Sequence, residues 1–205
     1  MRVYEQRLMP ETSGGTSGGP GHVIAKYSDL VQKAIAYKAA HPGETVEIRF
    51  TTYRMSFDIY MGFNPSASTY LRVSDSDFAG SDSEKLIWSF CKAAQAGVIV
   101  KLIIHKAGES GIPLSSITDY LDTSGGPNLS YKIVGWGNSS NEQMHNKFLL
   151  VNKTRSGSND YHSIVYTTSA NVDEWQAYGP IGSKNWQQTG VLLYQNSGVY
   201  NAYKK

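Results

Sequence analysis

The sequence predicts an α/β fold with one mixed β-sheet flanked by helices. Segments with helical periodicity alternate with short β-prone runs along most of the chain, which indicates strands joined by helical crossovers. Two later β-rich runs are separated only by a polar segment, which indicates an antiparallel hairpin within the same sheet. The chain has 205 residues, of which 40% are hydrophobic and 18% charged, as expected for one globular domain with a substantial core.

The first half of the chain supplies two helices and two strands. Apolar residues recur at helical spacing from Val23 to Ala40 and stop before a Pro-Gly pair, whereas Thr45 to Tyr53 alternates as a strand does. Asp82 to Gln95 has capping residues at its start and Gly97 after its end, so it is predicted to be a helix. Val98 to Ile104 has few polar interruptions, which predicts a central strand covered on both faces.

The second half is predicted to hold a short helix over Pro113 to Leu121 and a strand over Ser130 to Val134. A further strand is expected at Gly190 to Tyr194, and a helix from Asn201 onward.

The Gly/Ser-rich composition of Thr12 to Gly21 favours a flexible lead-in over 1–22, followed by one domain over 23–205.

A hairpin late in the chain carries the candidate site. A strand is predicted from Met144 to Asn152, a polar turn from Lys153 to Asp160, and a return strand from Ser163 to Thr168.

Because strand side chains alternate between faces, His145 and Lys147 are expected to point to one side. The return arm would bring Ser169 and Asn171 beside them. An imidazole, an ammonium, a hydroxyl and a carboxamide would then converge, a set suited to binding a phosphate.

These residues resemble the signature of the phospholipase D superfamily. That pattern is His-x-Lys, four residues, Asp, and shortly afterwards Gly-Ser-x-Asn. The chain has His145-x-Lys147, then Asn152 where the family usually has Asp, then Thr168-Ser169-x-Asn171 with Thr168 at the usual Gly. The gap between the two halves is longer than the commonest family spacing, which a longer hairpin turn would absorb.

The resemblance implies a phospholipase D-like half-domain and a metal-independent phosphodiesterase without a cofactor. It implies a phosphohistidine intermediate on His145, with Lys147 binding the nonbridging phosphate oxygens. Ser169 and Asn171 would help bind and orient that phosphate. At Asn152 the shape of the acid is kept and its charge is lost, so either a tuned site is weakened or only a structural brace is altered.

Family members pair two such motifs, one histidine attacking and the other acting as general acid. His22, His41, His105 and His162 lack a lysine two residues later, so a second motif is expected from a homodimer partner or from a missing second half. A slight preference goes to a fragment. A non-catalytic phosphate-binding or assembly module is the competing hypothesis.

Composition bears on the substrate and leaves the compartment open. The formal net charge is +2, so a phospholipid substrate is slightly favoured over the alternative of a single-motif dimeric nuclease, for which a more basic groove would be expected. Neither a signal peptide nor a membrane-spanning run is visible, and both secreted and cytoplasmic locations stay open.

Further candidates for the site are Trp136, Trp175 and Trp186 as groove residues, Glu142 as an orienting acid, and His105 at the end of a strand.

Overall fold

The computed structural model describes most of the chain in nine separate stretches. They are residues 2–9, 21–53, 63–64, 69–70, 84–105, 118, 121–135, 145–169 and 188–205.

The described residues form nine strands and three main helices. In chain order they are β1 (Arg2–Met9), α1 (Gly21–Ala40), β2 (Glu47–Thr52), β3 (Phe63–Asn64), β4 (Thr69–Tyr70), α2 (Glu84–Gln95), β5 (Ile99–His105), β6 (Leu129–Val134), β7 (Phe148–Ser156), β8 (Asn159–Thr168), β9 (Gln188–Tyr194) and α3 (Ser197–Lys204).

Seven of these strands form one mixed sheet in the order β1-β9-β8-β7-β2-β5-β6. β2, β5 and β6 run parallel, whereas β2 pairs antiparallel with β7 and the remaining neighbours are antiparallel. β3 and β4 pair separately as a two-stranded ribbon. The predicted fold class, an α/β fold with a mixed sheet flanked by helices, is confirmed.

The main core lies between the sheet and the pair α1 and α2. The helices contribute residues such as Leu30 and Phe90, which are fully buried against Phe50, Leu102 and Leu149 of the sheet. Burial of these aliphatic and aromatic side chains is the main force holding the helices to this face. The opposite face has a smaller cluster, in which Tyr200 of α3 packs with Leu150, Val165 and Leu193.

The expectation that β5 is covered on both faces is wrong. Val100, Leu102 and Ile104 point into the main core, but Lys101 is exposed and Ile103 is 40% exposed. On that side of the sheet α3 covers β7 and β8, and in the described part of the chain the cover stops short of β5. An apolar run therefore did not require two buried faces.

The hairpin differs from its predicted form. β7 and β8 continue through the polar residues, pairing Lys153 with His162 and Ser156 with Asn159, so only Gly157 and Ser158 form the turn. Gly157 has φ +61°, and glycine at the first central position suits a tight hairpin turn. The longer spacing between the motif halves is thus absorbed by longer strands, and the expectation of a long turn is wrong.

Three further boundaries differ from the sequence-based expectations. Arg2–Met9, within the expected lead-in, pairs with β9 as a strand, and α1 begins at Gly21. α3 begins at Ser197, before the expected Asn201, because the side-chain oxygen of Asn196 accepts a hydrogen bond from the N–H of Val199 at 3.0 Å and caps the helix.

The helix expected over Pro113 to Leu121 lies mostly outside the described residues, which are helical at 118 and 121–124. No helix in the described parts of the chain is long and apolar enough to cross a membrane.

Candidate active site

The candidate site lies at one edge of the sheet. The parallel strands β2 and β5 end there, β7 begins there because it runs antiparallel to β2, and β8 returns there. Thr51 pairs with Phe148, and Phe148 pairs with Thr167, so residues just beyond these pairs share this edge. The carboxyl ends of parallel strands are where sites form in open α/β sheets.

His145 and Lys147 meet directly through their side chains. The Nζ atom of Lys147 lies 3.2 Å from both ring nitrogens of His145 and donates to the carbonyl oxygen of His145 at 3.1 Å. Both residues precede β7, which begins at Phe148, so the expected strand start at Met144 is wrong for them. The polar residues therefore lie just before the first paired position of the hairpin, Phe148 with Thr167.

The two side chains differ in exposure. Lys147 is 5% exposed, whereas much of His145 is exposed and only part of it is covered. Partial burial lowers the pKa of His145, and the nearby Lys147 charge lowers it further. A lowered pKa favours the neutral imidazole, which has an unprotonated nitrogen able to attack an electrophile.

The return arm of the hairpin reaches the same place. The backbone N–H of Thr168 donates to the carbonyl of Lys147 at 3.1 Å, and the hydroxyl of Thr167 donates to the same oxygen at 3.2 Å. Ser169, the next residue, is exposed. Asn171 lies outside the described residues.

Asn152 lies away from this group of residues. It lies five positions after Lys147, which is roughly 17 Å at the rise of a strand. Its side-chain oxygen accepts a hydrogen bond from the N–H of Glu47 at 2.7 Å, and its NH2 group donates to the carbonyl of Thr45 at 3.1 Å. In this chain the motif-acid position braces the start of β2.

One residue of the site was missed by the sequence analysis. The ring of Tyr53, directly after β2, lies with its centroid 4.7 Å from that of His145, and Lys147 Nζ is 5.5 Å from the Tyr53 centroid. On another side the Tyr53 ring is 5.1 Å from that of His105, which is 4% exposed. Its position after a parallel strand was the available signal, the same one that singled out His105.

Other histidines lie elsewhere. His41 contacts Asp160 at 3.0 Å and Arg155 at 3.2 Å near the hairpin turn, and His162 lies 6.1 Å from Tyr37 between ring centroids. The length of β7 places this cluster roughly 25 Å from Lys147. The loop candidates Trp136, Glu142, Trp175 and Trp186 lie outside the described residues.

Comparison with known proteins identifies this fold. No protein-family model and no curated protein sequence matches the chain. A phospholipase D family member, Nuc from Salmonella typhimurium, matches with a TM-score of 0.50 and 15% identity, over 98% of this chain and 89% of that one. Polyphosphate kinase from Porphyromonas gingivalis matches with a TM-score of 0.51 and 14% identity, over 98% of this chain.

The chain therefore has the fold of phospholipase D superfamily proteins, and the predicted resemblance is confirmed at the level of the fold. It spans a quarter of the length of the polyphosphate kinase and most of the length of Nuc. An archaeal chromatin protein, TrmBL2, also matches, with a TM-score of 0.45 and 13% identity over 98% of this chain and 50% of that one.

Proposed function

We propose that the chain is a phosphoryl-transfer enzyme, and specifically a phosphodiesterase of the phospholipase D type that works without a metal. The observation that carries the proposal is the His145–Lys147 pair, with an ammonium 3.2 Å from the ring nitrogens of an imidazole of lowered pKa. The likeness of the fold to a phospholipase D family member and to a polyphosphate kinase supports the same chemistry.

In the proposed reaction a ring nitrogen of His145 attacks phosphorus. A nitrogen–phosphorus bond forms, the bond from phosphorus to the leaving oxygen breaks, and a general acid protonates that oxygen. Water then attacks phosphorus while the general acid, which has lost its proton, takes one from that water, the nitrogen–phosphorus bond breaks, and a phosphomonoester is released. Lys147 stabilises the negative charge that grows on the nonbridging oxygens, and Ser169 and Asn171 orient them.

The general acid is proposed to come from a second His-x-Lys motif. His105 is buried behind Tyr53, and His41 and His162 lie near the hairpin turn, so none of these three is placed to protonate a leaving group at His145. A second copy of this chain or a second motif-bearing half would supply the acid. The match to most of the length of Nuc shows that a chain of about this size occurs among structures of this fold.

The hypothesis of a non-catalytic module rested partly on Asn152. Because that residue is engaged with the backbone of Thr45 and Glu47, roughly 17 Å from Lys147, its missing charge is a weak argument for a dead site. The single motif is the remaining argument for that hypothesis.

Intact-mass analysis tests the mechanism. Protein exposed to an activated phosphodiester is quenched rapidly without acid, beside His145→Ala and with Asn146→Ala as a matched control for an exposed neighbour. We expect an adduct with the mass of the phosphoryl group plus its retained ester substituent on the parent and on Asn146→Ala only. An adduct on His145→Ala, or none on the parent at any protein concentration, would contradict the proposal.

One assay tests the substrate class, and a second tests whether activity needs a dimer. Phosphatidylcholine vesicles and plasmid DNA, both in chelator, distinguish a phospholipase, which we slightly favour, from a nuclease. A specific activity that falls on dilution and returns on concentration is expected if a second copy supplies the acid. A specific activity independent of dilution would argue against the dimer.

A further inference from the structure

The candidate site is one end of a row of residues that runs from strand to strand along the edge of the sheet where β2, β5 and β6 end. His145 and Lys147 precede β7, Tyr53 follows β2, His105 ends β5 and Gly135 follows β6. These four strands are consecutive neighbours in the sheet, in the same order as the residues. Neighbouring strands are about 4.8 Å apart, so rings at their ends can stack from strand to strand.

The contacts along the row match that spacing. Ring centroids are 4.7 Å apart between His145 and Tyr53 and 5.1 Å apart between Tyr53 and His105, with interplanar angles of 53° and 36°. The Lys147 ammonium lies 5.5 Å from the Tyr53 centroid, within the range of a cation–π interaction. Tyr53 therefore contacts both of the residues proposed to act on the phosphate.

Gly135 closes the row at its far end. Its φ is +113°, and a Cβ added there would lie 2.7 Å from Nε2 of His105. A side chain at this position would both strain the backbone and collide with the imidazole. The absence of a side chain at Gly135 thus lets His105 take the position from which it supports Tyr53.

We propose that Tyr53, backed by His105 and Gly135, is a positioning residue that holds the His145 imidazole and the Lys147 ammonium in register for attack on phosphorus. The apolar face of the tyrosine excludes water from one side of the imidazole, while the electron-rich ring face attracts the ammonium. The hydroxyl of Tyr53 is not needed for either effect. The catalytic part of this inference rests on the proposed function, whereas the geometric part does not.

The first test needs no substrate. The pKa of His145 is measured by NMR from its ring signals, assigned with His145→Ala, in the parent, Tyr53→Phe and Tyr53→Ala. Because Tyr53→Phe keeps the ring, we expect its titration to match the parent. Tyr53→Ala opens the imidazole to water, so the pKa should rise toward the ordinary value. A folded Tyr53→Ala protein whose His145 titrates as in the parent would overturn the proposal.

A second pair of variants tests the far end of the row and serves if Tyr53→Ala does not fold. Gly135→Ala introduces strain and the collision with His105, whereas Gly126→Ala introduces strain alone, since φ at Gly126 is +65° and nothing lies within 4 Å of its added Cβ. We expect a shift of the His145 titration only in Gly135→Ala. Equal behaviour of the two variants would contradict a role for the row.

Kinetics with a chromogenic phosphodiester then separates positioning from binding. Misplacing reacting groups by about 1 Å can cost up to about 100-fold in rate, so we expect Tyr53→Ala to lower kcat by about 10- to 100-fold with little change in KM. Because Tyr53→Phe keeps the ring, it should lower kcat by much less than Tyr53→Ala does. If no variant including the parent turns over substrate, the proposed function fails, while the NMR titrations still decide the positioning role.

Discussion

The side-chain oxygen of Asn152 accepts a hydrogen bond from the N–H of Glu47, while the NH2 group of the same side chain donates to the carbonyl of Thr45. Of the two residues with this shape, asparagine can make both bonds, whereas an ionised aspartate has no hydrogen to donate. The residue that departs from the phospholipase D pattern is therefore matched to its surroundings in this chain.

Asn152→Asp is expected to lower stability and leave the site intact. The variant keeps the bond from Glu47 N–H, loses the bond to Thr45 and places a charge beside that carbonyl. Because the lost bond to Thr45 is exposed, we expect the free energy of unfolding to fall by about 0.5–1.5 kcal/mol at neutral pH in a urea titration. Asn201→Asp, at an exposed position of α3, is the control and should cost far less. A variant as stable as the parent, or one with increased turnover, would contradict the bracing role.

Lys147→Met is expected to abolish most of the proposed activity. Methionine approximates the volume of the buried lysine stem but carries no charge for the phosphate oxygens. Loss of one such stabilising group is expected to lower kcat by about 100- to 1,000-fold, measured with a chromogenic phosphodiester. Lys153→Met removes a lysine paired with Glu44 near the hairpin turn and should retain turnover. Comparable losses in the two variants would argue for a general effect of charge.

The pH dependence of turnover is expected to reflect the lowered pKa of His145. Because partial burial and then the Lys147 charge lower it, the neutral nucleophile should persist below pH 6.5. The acid limb of kcat/KM should therefore have its midpoint below 6.5, and in Lys147→Met, if turnover is measurable, that midpoint should move upward. An acid limb above pH 6.5 in the parent would contradict this assignment.

The free energy of unfolding should also depend on pH through His145, and it should fall as the pH falls. A histidine whose folded-state pKa is below its unfolded value binds fewer protons when folded, so its contribution to stability is complete above pH 6.5 and is lost as pH falls through the folded-state pKa. We expect the urea midpoint of the parent to fall over this window more than that of His145→Ala. Parallel pH profiles for the two proteins would show that His145 is not the group responsible.

Gly157→Ala is expected to destabilise the hairpin. Its φ of +61° is strained for alanine although nothing lies within 4 Å of the added Cβ, so backbone strain of about 1–2 kcal/mol is the whole expected cost. Gly43→Ala is the matched control, because that site also has open space but no positive φ. A Gly43→Ala protein less stable than Gly157→Ala in urea would contradict the turn assignment.

Local sequence was sufficient for most of the secondary structure. The helical period of Val23 to Ala40, the apolar runs that became β5 and β7, and the two-arm pattern of the hairpin all reflect packing against one core, which leaves a period in the sequence. The pairing of His145 with Lys147 is also local, because the two residues are two apart in one segment. These features needed no knowledge of distant contacts.

Only the tertiary structure decided the features that depend on neighbouring strands. The turn consists of Gly157 and Ser158 alone because the polar residues on either side pair across β7 and β8. Arg2–Met9 belongs to the sheet because it pairs with β9.

The row from Gly135 to His145 arises because strands distant in sequence end side by side, and Asn152 became a brace because β2 lies beside β7. Sequence periodicity records which face of an element is buried, but not which element lies beside it. The amino-acid sequence alone therefore determined the fold class and the His145–Lys147 pair, while the order of strands in the sheet decided which residues support that pair.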